Sequence, residues 1–172
     1  MNFILSEHSI ILILECLLIF FILYTFIKRF IGSSKDKETL FMSEKYIGID
    51  TPIALHGYPD RVIKTPDGYL RVDDFKTRSQ LRVYDSDIWQ LSCYKYILRR
   101  TQKLPVMEES HVIVKNSKET KSFVIKLKSD EQVEKLYKTY VDVLNGNKSP
   151  SYCGNKKYCQ KCPYYKDKCF PD

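Results

Sequence analysis

The sequence predicts an α/β fold in which a small mixed central sheet is flanked by helices, preceded by one transmembrane helix and followed by a cysteine-rich tail. Three observations support this prediction. A nearly uncharged apolar run lies within residues 9–29, strand-like and helix-like patterns alternate over residues 40–150, and four of the six cysteines lie within residues 151–172. Residues 1–8 would form an N-terminal tip, and residues 30–39 a linker.

The composition limits the classes of protein that the chain can represent. Its 172 residues suit one domain with a small appendage and exclude a large multidomain enzyme. The 44% content of hydrophobic residues excludes a wholly disordered chain. The net charge is +7, and all of it lies after residue 29 because the charges before that point cancel. Such a basic domain can contact nucleic acid, anionic lipid or an acidic protein, and charge alone does not choose among them.

The first element is the apolar run from Ser9 to Ile27, in which Glu15 is the one charged residue. A helix of this length extends for roughly 28 Å, which is close to the thickness of the hydrocarbon core of a bilayer. Lys28 and Arg29 follow it directly, so we expect a single-pass membrane protein whose C-terminal domain is cytoplasmic. A signal peptide would need a basic N-terminal region and a small-residue cleavage site, and neither is present. A buried core helix is disfavoured because the run is apolar on every face.

A β-hairpin is the next strong pattern, after strand-like pieces within residues 40–49. Two extended runs, 53–64 and 69–77, flank the sequence Thr-Pro-Asp-Gly, which is typical of a tight turn. Pro66 presets φ at the first turn position, and Gly68 accepts a positive φ without steric cost.

The remaining elements alternate in the same way. We expect a helix over 85–100 with Asp85 or Ser86 as its N-cap, and then two alternating strands around a polar turn. A second helix should begin at Ser129, where Gln132 completes a capping box, and should end near Gly146. The two strands are predicted over 110–115 and 122–127.

The hairpin brings charged residues together on one face of the sheet. A three-residue loop with a bulge places Asp60 opposite Asp74, with the Cβ atoms about 5 Å apart, whereas a four-residue loop would place Asp60 opposite Asp73. Lys76 follows Asp74 by two positions and therefore projects to the same face. The apolar residues of that face are Val62, Leu70 and Val72, and the opposite face carries Arg61, Arg71 and Asp73.

Two opposed carboxylates in partial burial need a proton or a cation, and Mg²⁺ or Mn²⁺ bound by Asp60 and Asp74 would meet that need. Lys76 would then stabilise the charge that develops when a phosphodiester is attacked by water. The alternative is a structural ion cluster in which Lys76 bridges both aspartates.

The spacing of these residues resembles that of a known family. Pro59-Asp60, followed after thirteen residues by Asp74-Phe75-Lys76, is similar to the signature of the PD-(D/E)xK nucleases. Gly57-x-x-Asp60 and Gln90-x-x-x-Tyr94 resemble two motifs of the RecB-like branch of that superfamily. The resemblance implies a restriction-endonuclease-like core, cleavage of DNA, and a role for Gln90 and Tyr94 in positioning the substrate or the lysine.

One part of the family pattern is not evident in the sequence. The family usually has a helix before the hairpin with a His or Glu that completes the metal shell, and here the predicted anchor and linker occupy that region. Glu44 and His56 are the two candidates for the missing ligand.

Four cysteines mark the tail, at Cys153, Cys159, Cys162 and Cys169. Clustered thiols in a cytoplasmic domain fit metal binding, either of zinc or of an iron–sulfur cluster. The last three, with Pro163 after Cys162, resemble the C-terminal cysteines of iron–sulfur RecB-like nucleases, which include a CRISPR-associated exonuclease and the AddB nuclease domain. The resemblance implies a [4Fe-4S] cluster with Cys153 as the fourth ligand, and Zn²⁺ is the alternative.

Two hypotheses about function follow. The first is a membrane-anchored, Mg²⁺- or Mn²⁺-dependent deoxyribonuclease, an exonuclease or a single-strand-acting enzyme, whose partners are single-stranded DNA or duplex ends and the membrane. The second is a catalytically inactive module that binds nucleic acid or a membrane complex and has a structural zinc or iron–sulfur tail.

Overall fold

The computed structural model describes residues 17–25, 37–151, 156–162, 165–166 and 169. Residues 17–25 are helical, and their large apolar side chains are exposed. Within these described stretches, no helix is long and apolar enough to cross a membrane. The predicted span over 9–29 lies partly outside them, so the anchor stays a prediction.

The core is built on a five-stranded mixed sheet with the strand order β1-β4-β5-β6-β7. Strands β5 and β6 run parallel, and the other neighbouring pairs are antiparallel. Strands β2 and β3 form a separate two-stranded sheet. The strands are β1 (Thr39–Ser43), β2 (Ile47–Ile49), β3 (Leu55–Gly57), β4 (Arg61–Lys64), β5 (Leu70–Thr77), β6 (Glu109–Lys115) and β7 (Thr120–Lys126).

Two helices accompany the sheet. Helix α1 (Asp85–Thr101) connects the parallel strands β5 and β6, as a parallel pair requires a crossover. Its buried residues Leu91, Ile97 and Leu98 belong to one hydrophobic core with the alternate residues of the central strands. Helix α2 (Asp130–Leu144) packs against α1. The core residues from the sheet are Val62, Leu70, Val72, Val112 and Val114.

The register predicted for the hairpin is confirmed. In the β4–β5 pair, Arg61 lies opposite Asp73 and Val62 opposite Val72, which is the register of the three-residue loop. The Thr65 N–H donates to the Tyr69 carbonyl at 2.8 Å, and Gly68 has a φ of +85°. The turn chemistry therefore sets which side chains face α1.

The extended run predicted over 53–64 is wrong as a single strand. Strand β3 ends at Gly57 and pairs with β2, and β4 begins only at Arg61. Pro59 lies in the gap, where it has no N–H to donate to a ladder. The interruption separates a small hairpin from the main sheet and leaves Asp60 just before β4.

Other element boundaries differ by a few residues. Helix α1 has Tyr84 as its N-cap, not Asp85 or Ser86, because the Asp87 carboxylate accepts the Tyr84 N–H at 2.9 Å. Strand β1 begins at Thr39, inside the predicted linker. The capping box predicted for α2 is confirmed, as the Ser129 side chain accepts from the backbone N–H of Gln132 and the Gln132 side chain accepts in return.

Candidate active site

The site lies where β5 passes the gap between β3 and β4. Asp74 and Lys76 project from β5 toward α1, on the face that carries the hydrophobic core. The Asp60 Oδ2 atom accepts the backbone N–H of Phe75 at 2.7 Å, so this carboxylate is fixed next to Asp74 although Asp60 lies outside the strand. The predicted convergence of Asp60, Asp74 and Lys76 is thus present in the geometry.

Asp74 is the most unusual carboxylate of the site. The residue is 1% exposed, and Lys76 Nζ donates to its Oδ1 atom at 3.0 Å. The Oδ2 atom is buried and lies 2.9 Å from the same ammonium, so Lys76 contacts both oxygens of the carboxylate. Burial raises the pKa of Asp74, the Lys76 ammonium opposes that shift, and the nearby carboxylates of Asp60 and Asp87 add to it.

Lys76 is held by a chain of hydrogen bonds that runs into α1. Its Nζ donates to Gln90 Oε1 at 3.1 Å, Gln90 Nε2 donates to the Tyr94 hydroxyl at 3.3 Å, and Tyr94 donates to the Tyr58 carbonyl at 3.2 Å. Gln90 and Tyr94 lie on one face of the helix because they are four residues apart. These two residues therefore connect the lysine to the segment just before Asp60.

Gly57 is required by this arrangement for a steric reason. A Cβ atom at this position would lie 2.6 Å from Tyr94 Cε1, so a larger residue would displace the tyrosine ring. The glycine of the Gly57-x-x-Asp60 motif thus makes room for the tyrosine of the other motif.

The donor set of the site fits a hard divalent cation. Asp74 supplies a buried carboxylate, and Asp60 supplies a second carboxylate next to it. Mg²⁺ commonly binds through one or two carboxylates together with water and substrate phosphate. Among the described residues, no group of three or more His, Cys, Asp or Glu could hold a metal ion.

The two candidates for a third ligand have different surroundings. His56 uses both ring nitrogens elsewhere, since Nε2 lies 3.2 Å from Asp50 Oδ1 and Nδ1 lies 2.6 Å from the Tyr46 hydroxyl. Glu44 is exposed, and its backbone N–H donates to the carbonyls of Pro59 at 3.0 Å and Asp60 at 3.3 Å. Glu44 therefore lies beside the Asp60 segment, whereas His56 is occupied.

Sequence reasoning missed the ion pair that holds the start of α1 near the site. Arg78 donates to both Asp87 carboxylate oxygens, at 2.6 and 2.7 Å. The Arg78 guanidinium and the Tyr84 N–H hold the pKa of Asp87 below its usual range, although burial opposes them. The pair joins the end of β5 to the first turn of α1, which sets the distance from Lys76 to Gln90. The available signal was an acidic residue in the first turn of a helix, nine residues beyond an arginine that directly follows a strand.

The tail is described in part. Cys159 is buried within a 3₁₀ helix (Lys156–Lys161), and the Cys162 N–H donates to its carbonyl at 3.0 Å. The Lys166 N–H donates to the Cys169 carbonyl at 3.0 Å. Cys153 lies outside the described residues, so the predicted four-cysteine site stays a prediction.

Comparison with known proteins places these features in a family. A model of the PD-(D/E)XK nuclease superfamily matches residues 21–169. Among solved structures, the chain is similar to one titled "Crystal structure of SSO0001", at 17% identity and a TM-score of 0.45, over 84% of this chain and 68% of that one. Comparison with curated proteins gives no match. The family match covers most of the chain and includes the whole hairpin and α1, and the chain belongs to the PD-(D/E)XK nuclease superfamily.

Proposed function

We propose that the protein is a Mg²⁺- or Mn²⁺-dependent deoxyribonuclease that hydrolyses phosphodiester bonds at the site formed by Asp60, Asp74 and Lys76. The observation that carries the proposal is the pair of neighbouring carboxylates, Asp60 and the buried Asp74, beside a lysine ordered by Gln90. Two carboxylates close together in partial burial favour a bound cation. Membership of the superfamily supports the same reaction class.

Each residue has a distinct role in this proposal. Asp60 and Asp74 would hold the cation, which supplies Lewis acidity to the scissile phosphate and to the attacking water. Lys76 donates hydrogen bonds to Asp74 and Gln90 through two of its three N–H groups. We assign the third N–H to a hydrogen bond with an oxygen of the reacting phosphate. Gln90 and Tyr94 act as positioning residues, because their hydrogen bonds fix the lysine and the Asp60 segment.

We further propose that the protein is a RecB-like nuclease that acts as an exonuclease or on single strands. The convergence of Gly57, Gln90 and Tyr94 supports this assignment, since these residues carry the motifs that resemble the RecB-like branch. The apolar run over 9–29 supports a membrane-anchored protein with a cytoplasmic C-terminal domain.

The test of catalysis is digestion of end-labelled single-stranded and duplex DNA by the 172-residue chain, with and without Mg²⁺ or Mn²⁺. Asp74→Ala and Lys76→Ala should lose cleavage, and Asp67→Ala, at the exposed hairpin turn, should retain it. Equal digestion by the parent chain and both site variants would overturn the proposal.

A second candidate is a non-catalytic module that binds nucleic acid or a membrane complex. It is favoured by the fact that the described residues offer two carboxylates and no larger metal-binding group. Metal-independent DNA binding by the parent chain, without cleavage under any metal condition, would establish this alternative.

For the tail we propose a [4Fe-4S] cluster held by Cys153, Cys159, Cys162 and Cys169, with Zn²⁺ as the alternative. Visible absorbance of anaerobically purified protein, together with iron and zinc analysis, separates the two. A colourless protein with stoichiometric zinc would end the iron–sulfur proposal.

A further inference from the structure

The β2–β3 hairpin has two chemically different faces. Its inner face carries Ile47, which is buried, with Ile49 and Leu55 packed against the hydrophobic core. Its outer face carries Tyr46 and His56, and Tyr58 follows directly after β3. The outer aromatic residues are exposed, with 54% of Tyr46 and 61% of Tyr58 accessible. Large aromatic side chains exposed together on a small, well-anchored hairpin are a typical feature of a binding surface.

The three rings form one continuous surface, which we name the aromatic platform (Tyr46, His56, Tyr58). The Tyr46 and His56 rings are stacked, with centroids 5.9 Å apart and planes 16° from parallel. Tyr58 lies with its centroid 5.5 Å from that of Tyr46, at an interplanar angle of 60°.

The platform is ordered before any ligand binds. The His56 imidazole is held between the Tyr46 hydroxyl on Nδ1 and the Asp50 carboxylate on Nε2, and the neutral tautomer with its proton on Nε2 satisfies both contacts. Gly48 lies opposite His56 and leaves the space that the rings fill. A Cβ atom at Gly48 would lie 2.5 Å from His56 Nδ1 and 2.8 Å from the Tyr46 hydroxyl oxygen. A surface fixed in this way loses little conformational entropy on binding.

The platform is joined directly to the candidate active site. The Tyr58 carbonyl accepts the Tyr94 hydroxyl that ends the Lys76–Gln90–Tyr94 chain, and Asp60 follows Tyr58 by two residues. Because two residues of extended chain span at most about 7 Å, the backbone at Tyr58 lies close to the carboxylate of the Asp60 segment.

We propose that the aromatic platform is a stacking subsite for an unpaired base next to the scissile phosphate, so that the site takes single-stranded DNA or an unpaired strand end. This inference rests on the proposed nuclease function and adds the subsite that selects the form of the substrate. Stacking on aromatic side chains is tolerant of base identity, because every base has a π face. The π face of a base is covered by its neighbours inside a duplex, so a duplex without unpaired bases has nothing to offer the platform.

The test measures binding apart from cleavage. The 172-residue chain with Lys76→Ala, which keeps both carboxylates for the cation, serves as the parent, and fluorescence anisotropy gives the Kd for a labelled single-stranded oligonucleotide in Mg²⁺. Adding Tyr58→Ala or Tyr46→Ala should weaken binding by about 5- to 100-fold, as expected for the loss of one stacked base. Tyr58→Phe, which keeps the ring, should stay within about twofold of the parent. Tyr69→Ala removes an exposed tyrosine at the far end of β5 and serves as the matched control.

Abasic substitution identifies the stacking partner. One position of the oligonucleotide should show an abasic penalty in the parent that disappears in Tyr58→Ala, and a blunt duplex should bind the parent and Tyr58→Ala equally. Gly48→Ala should weaken binding as Tyr46→Ala does, because it displaces the same rings. If the parent binds the strand and the alanine variants match it at every position, the stacking subsite is wrong although the nuclease proposal stands. If the nuclease proposal itself fails, the wild-type chain will not cleave DNA, whatever the binding result.

Discussion

Asp73 and Asp74 are adjacent in β5, both are almost fully buried, and their surroundings are opposite. Asp73 projects away from α1 and accepts hydrogen bonds from Arg61 and Arg71. The Arg71 Nε atom lies 2.8 Å from Asp73 Oδ1. Asp74 projects toward α1 and, among the described residues, has one cationic partner, Lys76, which contacts both of its oxygens.

The difference separates a structural carboxylate from a functional one. Both oxygens of Asp73 are satisfied by two guanidinium groups, as a buried charge requires for stability. Burial raises the pKa of Asp74 above its ordinary value, so the ionised form is held at a cost that a bound cation would offset. Burial alone therefore does not mark a functional aspartate, and the two residues differ in the number of cationic groups that pair with them.

The largest expected effect is on catalysis at Asp74. Asp74→Asn keeps the shape of the side chain and removes the charge that binds the cation, so we expect DNA cleavage to fall by at least about 10³-fold. The folded state should persist, because the amide oxygen still accepts from Lys76. End-labelled DNA digestion and thermal unfolding test both parts, and retained cleavage would place the catalytic metal elsewhere.

The next effect is on stability at Asp73. Asp73→Asn removes the buried carboxylate that Arg61 and Arg71 share, and we expect the free energy of unfolding to fall by about 2–3 kcal/mol. Arg61 is partly exposed and Arg71 keeps Glu38, which limits the loss. Urea unfolding measures it, and Asp67→Asn, at the exposed turn, is the control. A variant as stable as the parent would contradict the structural role given to Asp73.

A smaller effect is expected at Gln90, which connects Lys76, on the Asp74 face of β5, to α1. Gln90→Leu removes the acceptor that orients Lys76, and kcat should fall by about 10-fold with little change in KM, because the lysine remains but is less well placed. Gln80→Leu changes an exposed glutamine outside the site and should leave kcat unchanged. An effect on KM alone would indicate that Gln90 contacts substrate and does not act through the lysine.

The smallest expected effect is on the pH dependence of folding stability. It should have one sign for Glu38, which contacts Arg71 on the Asp73 face of β5, and the opposite sign for Asp74. Arg71 donates to Glu38 and holds the pKa of Glu38 below its ordinary value of 4.5. The stabilisation from this ion pair is therefore present above pH 4.5 and is lost as the pH falls through the folded pKa. Because Glu38 is half exposed, we expect Glu38→Gln to cost about 0.5 kcal/mol at neutral pH, with the difference from the parent vanishing in acid.

The raised pKa of Asp74 has the reverse consequence in metal-free protein. The loss of folding stability caused by ionised Asp74 is absent below the ordinary pKa of 3.8 and grows as the pH rises through the folded pKa. Asp74→Asn should therefore be more stable than the parent at neutral pH and equally stable in acid. Urea unfolding in EDTA, from about pH 3 to about pH 7, measures how the stability of each variant differs from that of the parent. Parallel trends for Glu38→Gln and Asp74→Asn would contradict the comparison.

The sequence was sufficient for the parts of the site set by local rules. The turn at Pro66 to Gly68 determines the register, and two-residue alternation then places Asp74 and Lys76 on one face. Helical spacing places Gln90 beside Tyr94. These relations depend only on short stretches of chain, so pattern reasoning captures them.

Relations between distant segments were not predictable in this way. The steric contact between Gly57 and Tyr94, the ion pair of Arg78 with Asp87, and the aromatic platform each join segments whose approach depends on the tertiary fold. The separation of β3 from β4 was missed because both read as one extended run, and only pairing with β2 divides them.

Mn²⁺ binding tests the central claim most directly. Electron paramagnetic resonance titration of the 172-residue chain at neutral pH should show one bound Mn²⁺ in the parent and in folded Asp73→Asn, and the loss of that ion in Asp74→Asn. Binding that survives Asp74→Asn, or that is lost equally in both variants, would contradict the assignment of Asp74 as the metal-binding member of the pair.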